Sequence, residues 1–400
     1  MVSVFFPGVP MGNLCELCRR DALEQVYTPE RSTRGMTVHL CRHCGLVQSL
    51  PRADRAARAP AAVSGGADWG NVRYGKGFRT RAALEAIGRN ANLADAFCVL
   101  DVGSNRGSFA RAFLEAAPLA HMVAVEPDER VAESCKDMDR AELVHARIED
   151  APLENDRFDI VHSCHTIEHV AEPAKVLADH WRTLKPGGLL VIDAPNLAFL
   201  GGDDVVEEWF IDKHLTHFSR RTYTRMIEAA GFTIVEQPDP ADRDNLLVVA
   251  RKTGAPHASP QSDPREVENA ETLFAHYIST RARNLLALTV AAAEIAKMKS
   301  RRVAMWGAGR IFDSLVVHGN FDLHSLALLI DKHLKPHVGE RYGCALHGPE
   351  ALAEAEAGVV VIMSRGFAQE IADEARRLAP RAEIIFYADL LARARRQMAA

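Results

Sequence analysis

From Phe97 onward the chain alternates short, almost wholly apolar runs with amphipathic stretches: FCVLDVG, HMVAVEP, AELVHAR, FDIVHSC and GLLVIDAPN. Apolar runs of this length read as strands buried on both faces, and strands separated by helical stretches build a mostly parallel sheet. An Ala/Leu helical pattern starts near Arg79, before the first run. Further on, Ser219 is placed to cap a helix that Gly231 ends. FTIVEQ and NLLVVARK then predict a strand pair. A long helix is expected from Glu266 to Lys299, after which the alternation restarts with RRVAMWG, LALLID, VVVIMS and EIIFYA. DKHLKPHVGERYGCALHGPEAL reads as a turn between the second and third of these. PRADRAARAPAAVSGGAD (51–68) and GAPHASPQSDP (254–264) read as linkers, rich in the residues that break regular structure.

The expected fold class is therefore α/β, in parts: an N-terminal cysteine module at 1–60, a Rossmann-like domain at 61–253, a linker with a long helix at 254–300, and a second Rossmann-like domain at 301–400. A length of 400 residues agrees, being long for one core. The net charge of −5, with Lys and Arg scattered, excludes an extended nucleic-acid or membrane surface. No apolar run reaches the ~18 residues of a membrane span, and MVSVFFPGVPMG is too short and lacks the basic start of a signal peptide. A cytoplasmic location is expected.

Four of the eight cysteines form two tight pairs, Cys15-x2-Cys18 and Cys41-x2-Cys44, with 22 residues between them. Two such knuckles supply the four thiolates of a tetrahedral zinc site with no position left for water, so the site reads as structural. Cys98, Cys135, Cys164 and Cys344 stand alone, which suits a reducing compartment with one metal site. His39 and His43 flank the second pair and read as exposed or supporting residues.

VLDVGSNRGSFA is a strand ending in Asp101, a turn carrying Gly103, Ser104, Asn105 and Gly107, and a helix start. This is D-x-G-x-x-x-G and not the dinucleotide fingerprint, so no pyrophosphate need be cradled. Glu126 and Pro127 end the next strand, where an acid reaches ribose hydroxyls. Ile148 and Glu149 follow the third, where an adenine edge would lie. With IEHV and LKPGG in order behind them, these residues resemble the class I S-adenosylmethionine (SAM)-dependent methyltransferases over about 75–250. The resemblance implies SAM as cofactor and a small-molecule methyl acceptor above the carboxyl ends of the strands. Arg147 stands where many relatives carry an acid.

Candidates on the acceptor side are His165, His169 and the insertion 196–219, which contains EEWFIDKHLTHFS. Loop histidines there suit proton transfer near neutral pH. The order of parts resembles the sugar-nucleotide C-methyltransferases, whose insertion carries a Tyr-His-Glu-His run before a helix-opening Phe-Ser. Here the run is Ile211, Asp212, Lys213 and His214, followed by Phe218 and Ser219. The resemblance implies His214 as general base, a nucleotide-linked keto-deoxysugar as acceptor, and Asp212 as a replacement for the missing acid. O- or N-methylation of another small metabolite is the alternative, and a non-catalytic SAM-binding scaffold is a third. In the last domain, Gly307-x-Gly309 has Phe312 in place of a third glycine, and Asp331 ends the next strand. Substrate-nucleotide binding, a structural role and NAD binding are all compatible with that fragment. The oligomeric state is not legible.

Overall fold

In a computed structural model of the protein, the structure describes residues 14–30, 32–51, 76–128, 137–256, 261–336 and 338–399. Most of the first expected linker, part of the second, residues 1–13 and Cys135 lie outside these residues. The chain divides into two compact units. The first holds residues 14–51, 76–199 and 210–274, and the second holds 200–209 and 275–399.

The main sheet of the first unit is built from β4 (Cys98–Val102), β5 (His121–Val125), β6 (Ala141–Val144), β7 (Phe158–Cys164), β8 (Leu184–Asp193), β10 (Phe232–Glu236) and β11 (Val248–Lys252). Their order is β10-β11-β8-β7-β4-β5-β6. The strands from β4 to β8 run parallel, and β11 runs antiparallel to β8 and to β10. The expected strand pair is thus the antiparallel edge. Among the described residues, the helices α1 (Lys76–Asn90), α2 (Ser108–Ala116), α3 (Pro173–Thr183) and α4 (Arg220–Ala229) belong to this unit. They cover strands such as β4 and β8, in which Val99, Leu100, Leu190, Val191 and Ile192 are fully buried. Ser219 caps α4 through a capping box with Thr222, and Gly231 follows the helix at φ 92°.

From β4 the chain steps outward to β5 and β6, then returns to place β7 on the other side of β4. In sheets of this winding, ligands bind where the winding reverses, which here is at the carboxyl ends of β4 and β7. The loops leaving those two strands carry Gly103–Gly107 and His165–His169.

A second sheet contains β1 (Leu23–Tyr27), β2 (Thr37–Cys41), β3 (Val47–Leu50) and β9 (Thr216–His217), in that order. Its fourth strand comes from the insertion after β8: Val47 pairs with His217 and Gln48 with Thr216. The cysteine segment and the acceptor-side insertion therefore share one sheet.

The long helix, α5, spans Pro264–Lys297. The second unit contains β12 (Val303–Trp306), α6 (Arg310–Gly319), β13 (Leu326–Ile330), β14 (Glu340–Arg341), β15 (Cys344–His347), α7 (Ala351–Glu354), β16 (Val359–Ile362), α8 (Ala368–Leu378), β17 (Glu383–Phe386) and α9 (Tyr387–Ala399). The sheet order is β14-β15-β13-β12-β16-β17. One expectation is corrected here: residues 331–352 are not a plain turn. Tyr342 and Gly343, at φ 52° and 77°, close a two-residue hairpin between β14 and β15. β15 also pairs parallel with β13 and buries Leu346. With two and four residues, these strands are too short for a period to show.

Candidate active site and cysteine cluster

The glycine loop is shaped by contacts that only glycine permits. Gly103 has φ 72° and donates its N–H to the Val125 carbonyl at 2.9 Å. A Cβ there would fall 2.2 Å from Thr166 Oγ1, so the loops leaving β4 and β7 touch at this point. Gly107, at φ 71°, turns the chain into α2. Glu126 is buried and accepts the Asn105 N–H at 2.8 Å and the Asp128 N–H at 2.9 Å. Burial pushes its carboxyl above the usual range, against the pull of those two amides. The Pro127 carbonyl faces His145 Nε2 at 3.0 Å. Ile148 is buried and Glu149 half-buried in a single 3₁₀ turn after β6.

Asp101 is 1% exposed. One carboxylate oxygen accepts from His162 Nδ1 at 2.7 Å, and His162 stacks on Phe109 with ring centres 3.5 Å apart. The other oxygen, and the buried hydroxyl of Ser104, have no hydrogen-bond partner. Buried polar atoms are normally satisfied. A ligand bearing an ammonium donor beside this loop would satisfy both, which is the chemistry of the amino-acid end of SAM.

After β7, His165 has φ 50° and donates its backbone N–H to the Asp193 carbonyl at 2.9 Å. Its Nε2 lies 3.2 Å from Asn245 Oδ1 and its Nδ1 lies 3.3 Å from Glu168 Oε1. Burial, with the Arg79 guanidinium nearby, pushes its pKa down to about 3, leaving a neutral ring that is a weak base. His169 Nδ1 donates to the Lys213 carbonyl oxygen at 3.0 Å, and the Leu215 N–H donates to the Glu168 carbonyl at 2.7 Å. These bonds bring His214 against His169, with ring centres 4.9 Å apart and planes at 64°. His217 continues into β9 and meets Ser49 Oγ at 2.9 Å.

His165, His169 and His214 are thus gathered on one side of the site. Asp212 is committed elsewhere: it accepts from Ser32 Oγ at 2.6 Å and from Thr33 N and Oγ1 at 2.8 and 2.7 Å. It ties the insertion to the segment before β2. Two further polar groups line this region: Glu168, which is 1% exposed, and Tyr223, whose buried hydroxyl lacks a hydrogen-bond partner. The only sequence signal for Glu168 is its place in IEHV, and Tyr223 sits in a helix whose pattern marks a core residue.

In the cysteine cluster all four residues are buried, and their sulfurs lie within 4.8 Å of one another. Cys15 and Cys44 are 3.4 Å apart, and Cys18 and Cys41 are 3.6 Å apart. A disulfide would require ~2.05 Å, whereas the edge of a zinc–thiolate tetrahedron is ~3.8 Å for Zn–S bonds of ~2.3 Å. Each knuckle ends in a left-handed residue, Arg19 at φ 58° and Gly45 at φ 79°. A Cβ on Gly45 would meet the Glu266 backbone at 2.9 Å. The four cysteines fit a tetrahedral metal ion.

In the second unit, Asp331 accepts the N–H groups of Ala308, His333 and Leu334 at 3.0, 3.0 and 2.9 Å. Arg365, three residues past Ile362 at the end of β16, grips Glu207 through two bonds of 3.0 and 3.1 Å and Asp204 through one of 2.8 Å. Arg310, which opens α6, bonds the Glu208 carbonyl. These arginines hold Glu207 near a pKa of about 2 despite its burial. Segment 200–209 therefore meets this sheet at the carboxyl ends of β12 and β16, the place where such sheets take ligands.

Comparison with known proteins agrees with the first unit. Residues 74–237 match the family profile described as a methyltransferase domain. The chain is 27% identical over 218 residues to a demethylmenaquinone methyltransferase of Clavibacter sepedonicus, covering 48% of this chain and 85% of that protein. It is 39% identical over 97 residues to an uncharacterized methyltransferase of Mycolicibacterium gilvum, covering 24% of this chain but only 37% of that protein. Among solved structures it is similar to a SAM-dependent methyltransferase of Mesorhizobium loti, with 18% identity, a TM-score of 0.36, and 42% of this chain and 97% of that chain covered.

Proposed function

We propose that this SAM-dependent methyltransferase methylates a small metabolite held where the β4 and β7 loops meet, with His214 accepting the acceptor's proton. The observation that carries this reading is the pinning of His214. The Lys213 carbonyl is bonded to His169, the Leu215 amide to Glu168, and β9 to β3. An insertion tied at three points around one histidine holds that ring beside the loop that contacts Gly103.

SAM, when bound, supplies a sulfonium methyl that is already electrophilic. The residues suited to hold it are Asp101 and Ser104 at its amino-acid end, Glu126 at the ribose, and Ile148 and Glu149 near the adenine. What remains for the chain is to orient the acceptor, exclude water and take one proton. His165, neutral and buried, is held between Asn245 and Glu168 and is suited to shape the acceptor side of the site. His214 is the proposed base. A zinc ion held by Cys15, Cys18, Cys41 and Cys44 would fix the sheet that β9 completes.

The preferred acceptor is a nucleotide-linked keto-deoxysugar, methylated at the carbon next to the ketone. The order of parts supports it: a cysteine cluster, a methyltransferase domain and a second α/β unit. His214 would then remove the α-proton and leave an enolate. O- or N-methylation is the second reading, favoured by Asp212, whose commitment to Ser32 and Thr33 leaves the family's acid unreplaced by that residue. Deuterium exchange separates the two. With S-adenosylhomocysteine bound and a 4-keto-deoxysugar nucleotide present, the carbon-methylation reading expects His214-dependent exchange at the α-carbon. No exchange, together with methylation of a hydroxyl or amine acceptor, would establish the alternative.

A further inference from the structure

We propose that Glu168, His169 and His214 form a second metal site, distinct from the cysteine cluster, for a divalent first-row transition ion. One ligand atom from each of the three residues lies within 4.8 Å of the others. The case rests on what faces Glu168. Both of its carboxylate oxygens are buried, and neither has a hydrogen-bond partner. A carboxylate loses its water at high cost unless a donor or a cation replaces it.

The neighbouring imidazoles do not supply donors. A carbonyl oxygen only accepts, so His169 carries its proton on Nδ1, toward Lys213, and turns an Nε2 lone pair to Glu168 Oε1 at 3.6 Å. His165 repeats the arrangement. Its Nε2 faces Asn245 Oδ1 at 3.2 Å and Asp193 Oδ2 at 3.7 Å, and its Nδ1 faces Glu168 Oε1 at 3.3 Å. A buried carboxyl group bordered by two imidazole lone pairs calls for a positive centre or a proton between them. Donation of the far ring N–H to a backbone carbonyl is also the usual way a metal-ligating histidine is oriented.

Two imidazoles and one carboxylate suit zinc, cobalt or iron(II) and not calcium or magnesium, which prefer oxygen. Three protein ligands leave a position for water or an acceptor oxygen, unlike the four thiols. Ion and proton would compete for the His214 ring. The site itself stands apart from the proposed function, but the consequence that an ion disables the base rests on that reading.

The test uses the full chain with one equivalent of zinc in place, titrated with cobalt(II). The expected result is one further equivalent, with weak ligand-field absorption and no thiolate charge-transfer band. Glu168→Gln and His169→Ala should each weaken it by about tenfold or more. Glu168→Gln is informative because its amide can donate to an imidazole, which relieves the site without metal. Circular dichroism and S-adenosylhomocysteine affinity show that each variant is folded. If one fails to fold, His214→Ala takes its place. No further equivalent, or unchanged cobalt affinity in the folded variants, overturns the proposal. If bound cobalt slows methyl transfer, both the site and the base reading stand. If turnover requires cobalt, the site stands and the base reading falls.

Discussion

His162 Nδ1 lies 2.7 Å from Asp101 Oδ1, across the one register pair that joins β4 and β7 at this level. The buried acid of the glycine-loop motif thus depends on a residue 61 positions away that no motif marks. His162→Phe keeps the stacking on Phe109 and removes the partner of a buried carboxylate. The expected cost is about 1–3 kcal/mol of stability, together with weaker S-adenosylhomocysteine binding. Urea unfolding and calorimetry check both. Unchanged values would mean that Asp101 needs no support.

His214→Ala and His214→Asn should lower kcat by about 10²–10⁴ and leave SAM affinity nearly intact. Asn retains hydrogen bonding but cannot take the proton. Turnover close to wild type in both variants would end the assignment and shift attention to His165.

Cys41→Ser should reduce bound zinc and thermal stability together. The four sulfurs belong to the same buried apolar cluster as Leu46, Met226 and Phe232, so the loss should spread beyond the knuckles. Metal analysis and thermal melts on one preparation are the check. Wild-type protein that carries no zinc, with all four thiols freely titrating, would rule the reading out.

His180 in α3 is fully buried with neither ring nitrogen bonded, and burial pushes its pKa down to about 4. The unfolded value is ~6.5, so the unfolded chain binds the proton first. Stability is fully present above pH ~6.5 and falls as the pH drops toward 4, by roughly 3 kcal/mol for this residue. His165 acts in the same direction. His180→Leu should flatten the decline between pH 7 and 5, as measured by denaturant midpoints. An equally steep decline would assign the acid sensitivity elsewhere.

Periodicity and spacing determined a good deal of this protein. The apolar runs marked β4, β5, β7 and the end of β8 because strands buried on both faces must be continuously apolar, whereas the edge strand β6 is at most half-buried. D-x-G-x-x-x-G located the glycine loop after β4 because a left-handed backbone needs glycine. Two C-x2-C pairs located the cysteine cluster because a knuckle is a local turn. Each signal lies within a few residues of chain. The tertiary structure decided what those residues face. It moved Asp212 to Ser32 and Thr33, set His162 under Asp101, placed Glu168 among three histidines, and joined β9 to the cysteine sheet. It also directed the acids of segment 200–209 to Arg365. Apart from His165 and His169, which lie beside Glu168 in the chain, these partners are separated by tens to hundreds of residues, and each pairing follows from where strands and loops close in space. Sequence spacing carries no record of that closure, because charge and hydrogen bonding act over a few ångströms of space whatever the length of chain between.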